Sequence, residues 1–430
     1  MPTFPTDLSR IDELRRRMPA KGLFAEKEWL ASPTAFPLTP HQLDYLEKLG
    51  PRLLTFLKTC NLFYRQSRSG KKPAYIHEWL DAGKPQDLLE LAFDPAVKNQ
   101  LPSVIRPDLL ITDKGFALSE IDSVPGGLGM TAWLNESYTA LGEDVVGGAD
   151  GMRGAARRLL PDGDVVISEE ALAYRPEMEW LFGENRVKAA ETYEFNGKMT
   201  YRFFEAFDWS GLESIRRSYS PDSGMTPPLK PFLEEKLWLA LFWLGPLREA
   251  WRQELGDRYD RDFQELIPYS WVVHPGEIPP TAVLPHLNVQ SWEQVAAFSQ
   301  KERDLILKIS GFSPQAWGSR GVTLGSDVST EEWSTILHRA LASFPSSPYI
   351  LQRYEKPALI RHPYWDEKSG ETKVMQGRVR LCPYYFVEEG EARLKGVLAT
   401  ICPADKKLIH GMKDAIIVPC RMALDNHSHG

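Results

Sequence analysis

The sequence predicts a mixed protein of the α+β or α/β class, built from two or three packed subdomains. Its 430 residues, at roughly 150 per domain, correspond to about 2.9 domains. Hydrophobic residues make up 43% of the chain and charged residues 25%, which is typical of a folded globular protein. Helical patterns dominate the first hundred residues, whereas short strands alternate with helices from Asp164 onwards.

The composition argues against several classes of partner. Acidic residues outnumber basic ones by 58 to 51, and the formal charge of -7 repels polyanions, so nucleic acid is not expected. The longest strongly apolar run, 237–247, is shorter than the roughly 20 residues of a membrane span. The first residues are charged and lack the apolar core of a secretory signal. We therefore expect no membrane partner and a cytoplasmic location. The four cysteines are far apart and predict reduced structural thiols.

The first half of the chain divides into two segments. Residues 1–100 are predicted as a helical N-terminal region, with one amphipathic stretch over 43–63 that breaks near Pro51 and shorter helices at 25–31, 77–82 and 85–92. Residues 101–163 are predicted as a hairpin with strands at 108–112 and 116–121, followed by a helix near 130–141. The turn Asp113-Lys114-Gly115 places glycine where a positive φ is usually needed.

The second half is mixed throughout. Residues 164–290 are predicted as an α/β substrate lobe, with these elements: a strand from 164, a helix over 175–182, strands over 187–195 and 199–207, a long helix over 232–254 kinked at Gly245-Pro246, and an extended linker over 275–285. Residues 291–430 are predicted as a further lobe, with helices at 291–301 and 330–343 and strands at 305–310, 349–354, 374–389 and 392–402.

Common single motifs are absent from the sequence. It contains no Walker phosphate loop, no G-x-G-x-x-G, no H-E-x-x-H and no G-x-S-x-G. His77-Glu78 begins the zinc-protease pattern, but Asp81 stands where the second histidine is required. These absences disfavour P-loop enzymes, dinucleotide oxidoreductases, zinc proteases and serine hydrolases.

A group of charged residues lies on the predicted hairpin. Glu120 and Asp122 are two positions apart and project from one face of a strand, and Asp108 begins the partner strand. Three convergent carboxylates repel one another unless a cation lies between them, and hard oxygen ligands suit Mg²⁺. Arg106 alternates onto the face of Asp108 and offers a fixed cation for a phosphate. The alternative is a solvated hairpin face with a surface Arg-Asp pair.

A second group surrounds Lys308. This lysine lies inside the apolar run 305–310, where an unpaired ammonium is costly. A glycine-containing loop follows, and its backbone N–H groups are suited to closing over phosphates. The candidate loop residues are Ser310, Gly311, Gly318, Ser319, Arg320 and Gly321. Gln352 lies 44 residues after Lys308, on a predicted strand that offers backbone groups to an adenine edge. The alternatives are an edge-strand lysine beside a surface loop, and a plain core strand.

Together these groups resemble the ATP-grasp ligases, specifically the circularly permuted branch that includes glutathionylspermidine synthase. The family pattern Arg-x-Asp, then Glu-x-Asn, is matched by Arg106-Pro-Asp108 and Glu120-Ile-Asp122, and the strand lysine with its lid by Lys308 and 310–321. The resemblance covers residues 100–405. It implies an ATP-grasp-like fold with mixed sheets and a nucleotide cleft between two lobes, the second of them residues 291–430.

The resemblance also implies a chemistry. A carboxylate substrate attacks the γ-phosphate of ATP, and an amine then displaces phosphate from the acyl phosphate to form an amide. It assigns Mg²⁺ to Asp108, Glu120 and Asp122, the transferring phosphoryl group to Arg106, and nucleotide phosphates to Lys308, with ATP held also by the loop residues and Gln352. Small-molecule carboxylates and amines are the implied partners. Ser123, Gly126 and Gly127, directly after the carboxylates, are placed at the substrate end of the site.

Two features depart from the family pattern, and one further pair of arginines has two possible roles. Asp122 replaces the usual asparagine, and the second phosphate-binding lysine has no counterpart near His274. Arg378 and Arg380 share one strand face and are candidates for phosphate, with surface arginines as the alternative. Two other functions use the same site: a phosphotransferase without an amine acceptor, and a regulatory protein that binds ATP without turnover.

Overall fold

The computed structural model describes residues 6–23, 28–276, 283–316, 320–409 and 413–423. Within these ranges the strands, β1 to β15 in chain order, span Phe36–Leu38, Val104–Thr112, Gly115–Asp122, Asp164–Ile167, Val187–Ala189, Thr200–Phe203, Met225–Thr226, Ser270–Val273, Leu305–Ile309, Val322–Leu324, Tyr349–Arg353, Ile360–Asp366, Glu371–Glu388, Glu391–Pro403 and Ile416–Met422. The α-helices, α1 to α12, span Asp7–Arg17, Pro40–Arg68, Tyr75–Asp81, Gln86–Phe93, Leu128–Ala140, Gly151–Leu159, Arg175–Phe182, Glu213–Ser218, Leu237–Trp243, Arg248–Leu266, Trp292–Ala296 and Thr330–Ala342. The predicted mixed fold class is confirmed.

The chain forms two compact units, and neither is a continuous stretch of sequence. Unit 1 contains Met1–Thr55, Pro95–Pro228 and Pro357–Gly430, and unit 2 contains Phe56–Asp94 and Leu229–Lys356. The predicted segments 1–100, 164–290 and 291–430 therefore each contribute to both units, and only 101–163 lies within one. Chain crossings of this kind depend on which strands pair over long sequence separations, and local patterns do not encode such pairings.

Unit 1 contains two sheets. The larger one has the strand order β1-β15-β14-β13-β2-β3, and β12 pairs with β13. Its two longest strands, β13 and β14, are antiparallel neighbours, and β2 pairs with the other edge of β13. The smaller sheet has the order β5-β4-β6-β7 and is parallel. The hairpin β2–β3 thus joins the larger sheet, where β13 becomes its neighbour.

Unit 2 is built on a four-stranded sheet with the order β10-β9-β11-β8. Strands β9 and β11 are antiparallel, and Ile350 lies opposite Lys308. A buried cluster that includes Trp271, Trp292 and Trp333 packs with this sheet and helices α11 and α12. A second aromatic group joins Phe56 and Phe63 to Trp251, with ring centroids 5.0 and 4.8 Å apart. Large aromatic side chains contribute most of the apolar burial in such a core.

Several predicted elements differ in extent from the observed ones. Helix α2 continues through Pro51, where a break was predicted, because its buried leucines and phenylalanines hold one apolar face along both halves. The predicted helix over 232–254 is divided, since Gly245 and Pro246 form a 3₁₀ turn between α9 and α10. The strand predicted over 187–195 ends at Ala189 and continues as a 3₁₀ turn.

Two predicted segments fall partly outside the described residues. The helix predicted over 25–31 is wrong for residues 28–31, where Leu30 forms a parallel bridge with Ile416 instead. The linker predicted over 275–285 includes residues 277–282, which lie outside the described ranges. In the described ranges no helix combines the length and apolar character needed to cross a membrane. The four cysteines are buried free thiols, as predicted.

Candidate functional site

The hairpin β2–β3 brings four charged residues to one end of the larger sheet. Its register places Arg106 opposite Asp122 and Asp108 opposite Glu120. A register shift between Asp108 and Leu109 marks a bulge, which locally re-aims side chains. Gly115 closes the turn with φ +128°, as the turn sequence predicted. The hairpin and the convergence of these residues follow from the local pattern.

Asp108 has charged or polar partners on two strands. Arg106 Nε lies 3.1 Å from its Oδ1, and Arg380 Nη1 lies 2.9 Å from its Oδ2. The Cys382 thiol also donates to Oδ1, at 3.3 Å. The Asp108 side chain is 2% exposed, so these partners surround the carboxylate in place of water.

Asp122 shares Arg106 with Asp108. Arg106 Nη2 lies 2.8 Å from Asp122 Oδ2, and the Val124 backbone N–H donates to Asp122 Oδ1 at 2.9 Å. Burial raises the pKa of Asp122, Arg106 lowers it, and the nearby charges of Glu120 and Asp108 raise it further. The net direction is upward, so the pKa of Asp122 exceeds that of an ordinary aspartate.

The pKa values of Arg106 and Arg380 are also set by burial acting against nearby charges. Burial lowers the pKa of Arg106, but Asp108 and Asp122 outweigh burial and the net direction is upward. Arg380 behaves likewise, with Asp108 as its main partner. Burial, assisted by Asp108, raises the pKa of Cys382 to about 12, so this thiol is protonated at neutral pH. The guanidinium groups therefore stay charged, and Cys382 acts as a hydrogen-bond donor.

The predicted metal site is only partly matched by this geometry. Oxygen ligands of this type suit Mg²⁺, which proteins usually bind through one or two carboxylates together with substrate phosphates. Across the described residues, however, no group of three or more His, Cys, Asp or Glu side chains is arranged to hold a metal ion. Asp108 and Asp122 have guanidinium partners instead. The donor chemistry fits Mg²⁺, and its assignment to Asp108, Glu120 and Asp122 stays a prediction.

The glycine-rich turn after the carboxylates is packed by the protein's own side chains. A Cβ on Gly126 would lie 2.3 Å from the Tyr174 ring, and one on Gly127 would lie 2.6 Å from Tyr384 Oη. The Gly126 carbonyl accepts hydrogen bonds from Arg106 Nη1 at 3.1 Å and Tyr384 Oη at 2.7 Å. The close approach that these glycines permit is thus made within the chain.

Glu177 completes this turn from helix α7. Its carboxylate accepts the Gly127 N–H at 2.7 Å and the Met130 N–H at 2.8 Å, at the beginning of α5. A carboxylate at a helix N-terminus satisfies amides that have no intrahelical partner. The substrate role of Ser123, Gly126 and Gly127 stays a prediction, and the residues that fix their backbone were not predicted.

The pair Arg378 and Arg380 is divided in the structure. Arg380 belongs to the Asp108 group described above. Arg378 donates from Nη1 to the backbone carbonyls of Ala404 and Lys406, and its bond to Lys406 is 3.0 Å long. The two arginines alternate onto one face of β13, but only Arg380 meets the hairpin carboxylates. Its role could not be inferred from sequence, because its partner Asp108 is 272 positions away.

Lys308 lies on the central strand β9 of unit 2 and is buried. Its Nζ donates to Gln352 Oε1 at 2.9 Å, and Gln352 Nε2 donates to Ser270 Oγ at 3.0 Å. The two predicted nucleotide residues Lys308 and Gln352 are therefore in direct contact.

The loop after Lys308 is described at its two ends. Ser310 and Gly311 lie against Glu235, and a Cβ on Gly321 would lie 2.5 Å from Ile309 Cγ2. Arg320 is exposed. Gly318 and Ser319 fall outside the described residues. Glu235 and its partner Lys84 were not identified from the sequence, since nothing local signals a pair 151 positions apart.

Comparison with known proteins supports the fold. No family model and no curated protein matches the sequence. A glutathione synthetase-like effector from Globodera pallida, solved in its apo form, matches the structure with a TM-score of 0.52 at 10% identity, over 97% of each chain. A gamma-glutamylcysteine synthetase candidate from Methylobacillus flagellatus KT matches with a TM-score of 0.39 at 12% identity over 88% of each chain, and we draw nothing from it. The chain therefore has the fold of a synthetase-like protein, consistent with the predicted ATP-grasp-like architecture.

Proposed function

We propose that the protein is an ATP-dependent ligase that joins a small-molecule carboxylate to an amine and releases ADP and phosphate. The observation that supports this most is the group of Arg106, Arg380, Asp108 and Asp122, in which two guanidinium groups enclose the buried carboxylate of Asp108. Buried ion pairs are a poor means of stabilising a sheet, because desolvation offsets much of the attraction. Such a group is typical of a site whose task is to handle charge.

Arg106 is the residue we assign to the transferring phosphoryl group. Its guanidinium is fixed by two carboxylates and the Gly126 carbonyl, so it keeps one orientation. A cation held in one orientation stabilises charge that develops in a transition state better than a mobile one. Arg380 adds a second fixed guanidinium on the neighbouring strand.

Lys308 and Gln352 are the residues we assign to the nucleotide. The Lys308 ammonium and the Gln352 amide form one buried hydrogen-bonded pair, and the loop that adjoins Lys308 is the segment we place over the nucleotide phosphates. Glu120 and Asp122 are the carboxylates we place closest to Mg²⁺, which would supply charge neutralisation between nucleotide phosphates when bound. Asp108 has two guanidinium partners, Arg106 and Arg380.

The chemistry that these residues support is phosphoryl transfer followed by acyl transfer. The substrate carboxylate attacks the γ-phosphorus, ADP leaves, and the resulting acyl phosphate loses inorganic phosphate to an attacking amine. The protein's contribution is positioning and charge neutralisation rather than covalent participation. The glutathione synthetase-like name of the structural neighbour agrees with a carboxylate and amine pair of amino-acid or peptide type.

The test is release of ADP and phosphate from ATP and Mg²⁺, with pooled amino acids, small peptides and polyamines. Arg106→Met should lower kcat by about 100-fold or more. Lys308→Met should raise the KM for ATP. Arg393→Met and Lys301→Met, which alter exposed cations in units 1 and 2, are the matched controls and should behave as wild type.

The substrate requirement separates the candidates. Release that needs both a carboxylate and an amine supports the ligase. Release with a carboxylate alone would identify a phosphotransferase, and ATP binding without turnover in every pool would identify a regulatory protein. Equal activity of Arg106→Met and Arg393→Met would refute the assignment of Arg106.

A further inference from the structure

A buried ion pair in unit 2 lies against the beginning of the loop that follows Lys308. Lys84 Nζ is 2.5 Å from Glu235 Oε1, and the two side chains are 0% and 2% exposed. Lys84 follows α3, whereas Glu235 precedes α9. Burying both charges removes them from water, and their attraction and hydrogen bonds must offset this loss of hydration. This pair is not part of the proposed nucleotide site.

The second oxygen of the Glu235 carboxylate is used by the loop. Ser310 Oγ donates to Glu235 Oε2 and accepts the Leu237 N–H at 2.8 Å. The backbone of Ser310 is fixed as well, since its carbonyl accepts the Lys236 N–H at 2.9 Å and its N–H donates to the Pro348 carbonyl at 2.9 Å. Every hydrogen-bonding group of Ser310 therefore has a partner within unit 2.

The next two residues adopt a constrained backbone over the same ion pair. A Cβ on Gly311 would lie 2.9 Å from Glu235 Cδ, so only glycine fits beside this carboxylate. Phe312 has a φ of +41°, a left-handed conformation that is rare for a bulky residue and is held only by its surroundings. The Lys84 ammonium lies 5.2 Å from the centroid of the Phe312 ring. Lys84 thus contacts both Glu235 and the strained residue.

We propose that Lys84 and Glu235 are positioning residues that set the backbone of residues 308–312 for nucleotide binding. The inference rests on the proposed function, because it assumes that Lys308 and the adjoining loop contact the nucleotide. The pair acts through Ser310 and Phe312: Glu235 holds the Ser310 hydroxyl, and Lys84 holds the ring of Phe312. Neither residue needs to touch the nucleotide itself.

The test compares single and double substitutions of the pair. Glu235→Gln and Lys84→Met each leave one buried charge unpaired, and both should lower stability. The double variant Lys84→Met/Glu235→Leu removes both charges, and exchange of a buried ion pair for apolar side chains is often neutral for stability. It also removes the acceptor of Ser310 and the cation over Phe312, so positioning should stay impaired. Asp260→Asn, which removes the charge of a buried carboxylate from the Arg248–Asp260 pair elsewhere in unit 2, is the matched control.

Two readouts are needed, and the first requires no nucleotide. Hydrogen exchange of a peptide covering residues 305–316 should become about tenfold or more faster in the double variant, with other unit 2 peptides unchanged. Calorimetry with ADP and Mg²⁺ should show affinity about tenfold weaker than wild type. Asp260→Asn should change neither quantity. A double variant with wild-type exchange and ADP affinity would show that the pair does not position residues 308–312 and would overturn the proposal.

The two readouts also separate this proposal from the proposed function. Faster exchange together with unchanged ADP affinity would overturn the positioning role in nucleotide binding. Wild-type protein that binds no ADP would refute the proposed function. In that case, faster exchange in the double variant would still show that Lys84 and Glu235 fix the backbone of residues 308–312.

Discussion

Substitution of Asp108 by asparagine tests the nature of the charged group directly, because two interpretations predict opposite signs. If the three hairpin carboxylates mainly repel one another, removal of one charge stabilises the metal-free protein. If Asp108 mainly holds Arg106 and Arg380, removal of its charge leaves two buried guanidinium groups without their shared partner. The geometry favours the second outcome.

The magnitude follows from the contacts of Asp108. Its two oxygens lie 3.1 and 2.9 Å from guanidinium nitrogens, and its side chain is 2% exposed. Removal of one partner from a buried ion pair typically costs about 3–5 kcal/mol, and we expect Asp108→Asn to lower the free energy of unfolding by this amount. Asp122→Asn should cost about 1–2 kcal/mol, since Asp122 is 28% exposed and has Arg106 as its ion-pair partner.

The assay is urea unfolding in EDTA, followed by far-ultraviolet circular dichroism, for the wild type, both asparagine variants, Arg380→Met and the Asp108→Asn/Arg380→Met double variant. The double-mutant cycle should give a favourable coupling of about 0.5–3 kcal/mol between Asp108 and Arg380. If Asp108→Asn stabilises the protein, or if the coupling is zero, Asp108 does not mainly hold the two arginines. The interpretation in which the three carboxylates mainly repel one another would then be correct.

Three further predictions concern buried groups. Burial lowers the pKa of Lys230 to about 7, so the unfolded chain binds more protons than the folded protein above pH 7. The free energy of unfolding should therefore rise towards pH 10, by up to about 1.4 kcal/mol per pH unit. Lys230→Met should reduce this slope in urea titrations at several pH values. Burial lowers the pKa of His362 to about 4, so the unfolded chain binds more protons than the folded protein between pH 6.5 and 4. The free energy of unfolding should therefore fall as the pH drops through this range, and His362→Gln should remove this contribution in the same titrations. Gly126→Ala should lower the free energy of unfolding by about 1–3 kcal/mol, because the added Cβ clashes with Tyr174. Gly211→Ala is the control, since a Cβ there meets no atom within 4 Å, and it should lower the free energy of unfolding by less than half as much.

The parts of the fold that were predictable are those specified by local sequence. The hairpin follows from two apolar runs around Asp113-Lys114-Gly115, and its register then fixes which charged residues are opposite one another. Helices α7 and α12 were predicted to within a residue, because their apolar periodicity and their ends are local features. The strands that carry Lys308 and Gln352 were predicted from their apolar runs, but the contact between the two side chains depends on the register of β9 and β11.

The parts that were not predictable depend on pairing over long separations. Arg380 meets Asp108 only because β13 adds to the hairpin in one register, and the sequence offers no signal for this choice. The ion pair of Lys84 and Glu235 likewise cannot be predicted from local sequence, because it forms only when the residues after α3 and before α9 come together. The two discontinuous units arise for the same reason, since chain order does not specify which segments return to a common core.

The arginine pairing changes how the carboxylates of the hairpin are understood. A strand pattern that places three acids on one face suggests a site waiting for a cation, because like charges raise one another's pKa. The structure supplies two guanidinium groups to that face, so the formal charge of Arg106, Arg380, Asp108, Glu120 and Asp122 together is -1 rather than -3. An anion that approaches Arg106 must then compete with Asp108 and Asp122 for its positive charge. Asp108 is 2% exposed and also pairs with Arg380, whereas Asp122 is 28% exposed and has a raised pKa. The exchange of an internal carboxylate for an external anion should therefore begin at the Asp122 side of the Arg106 guanidinium.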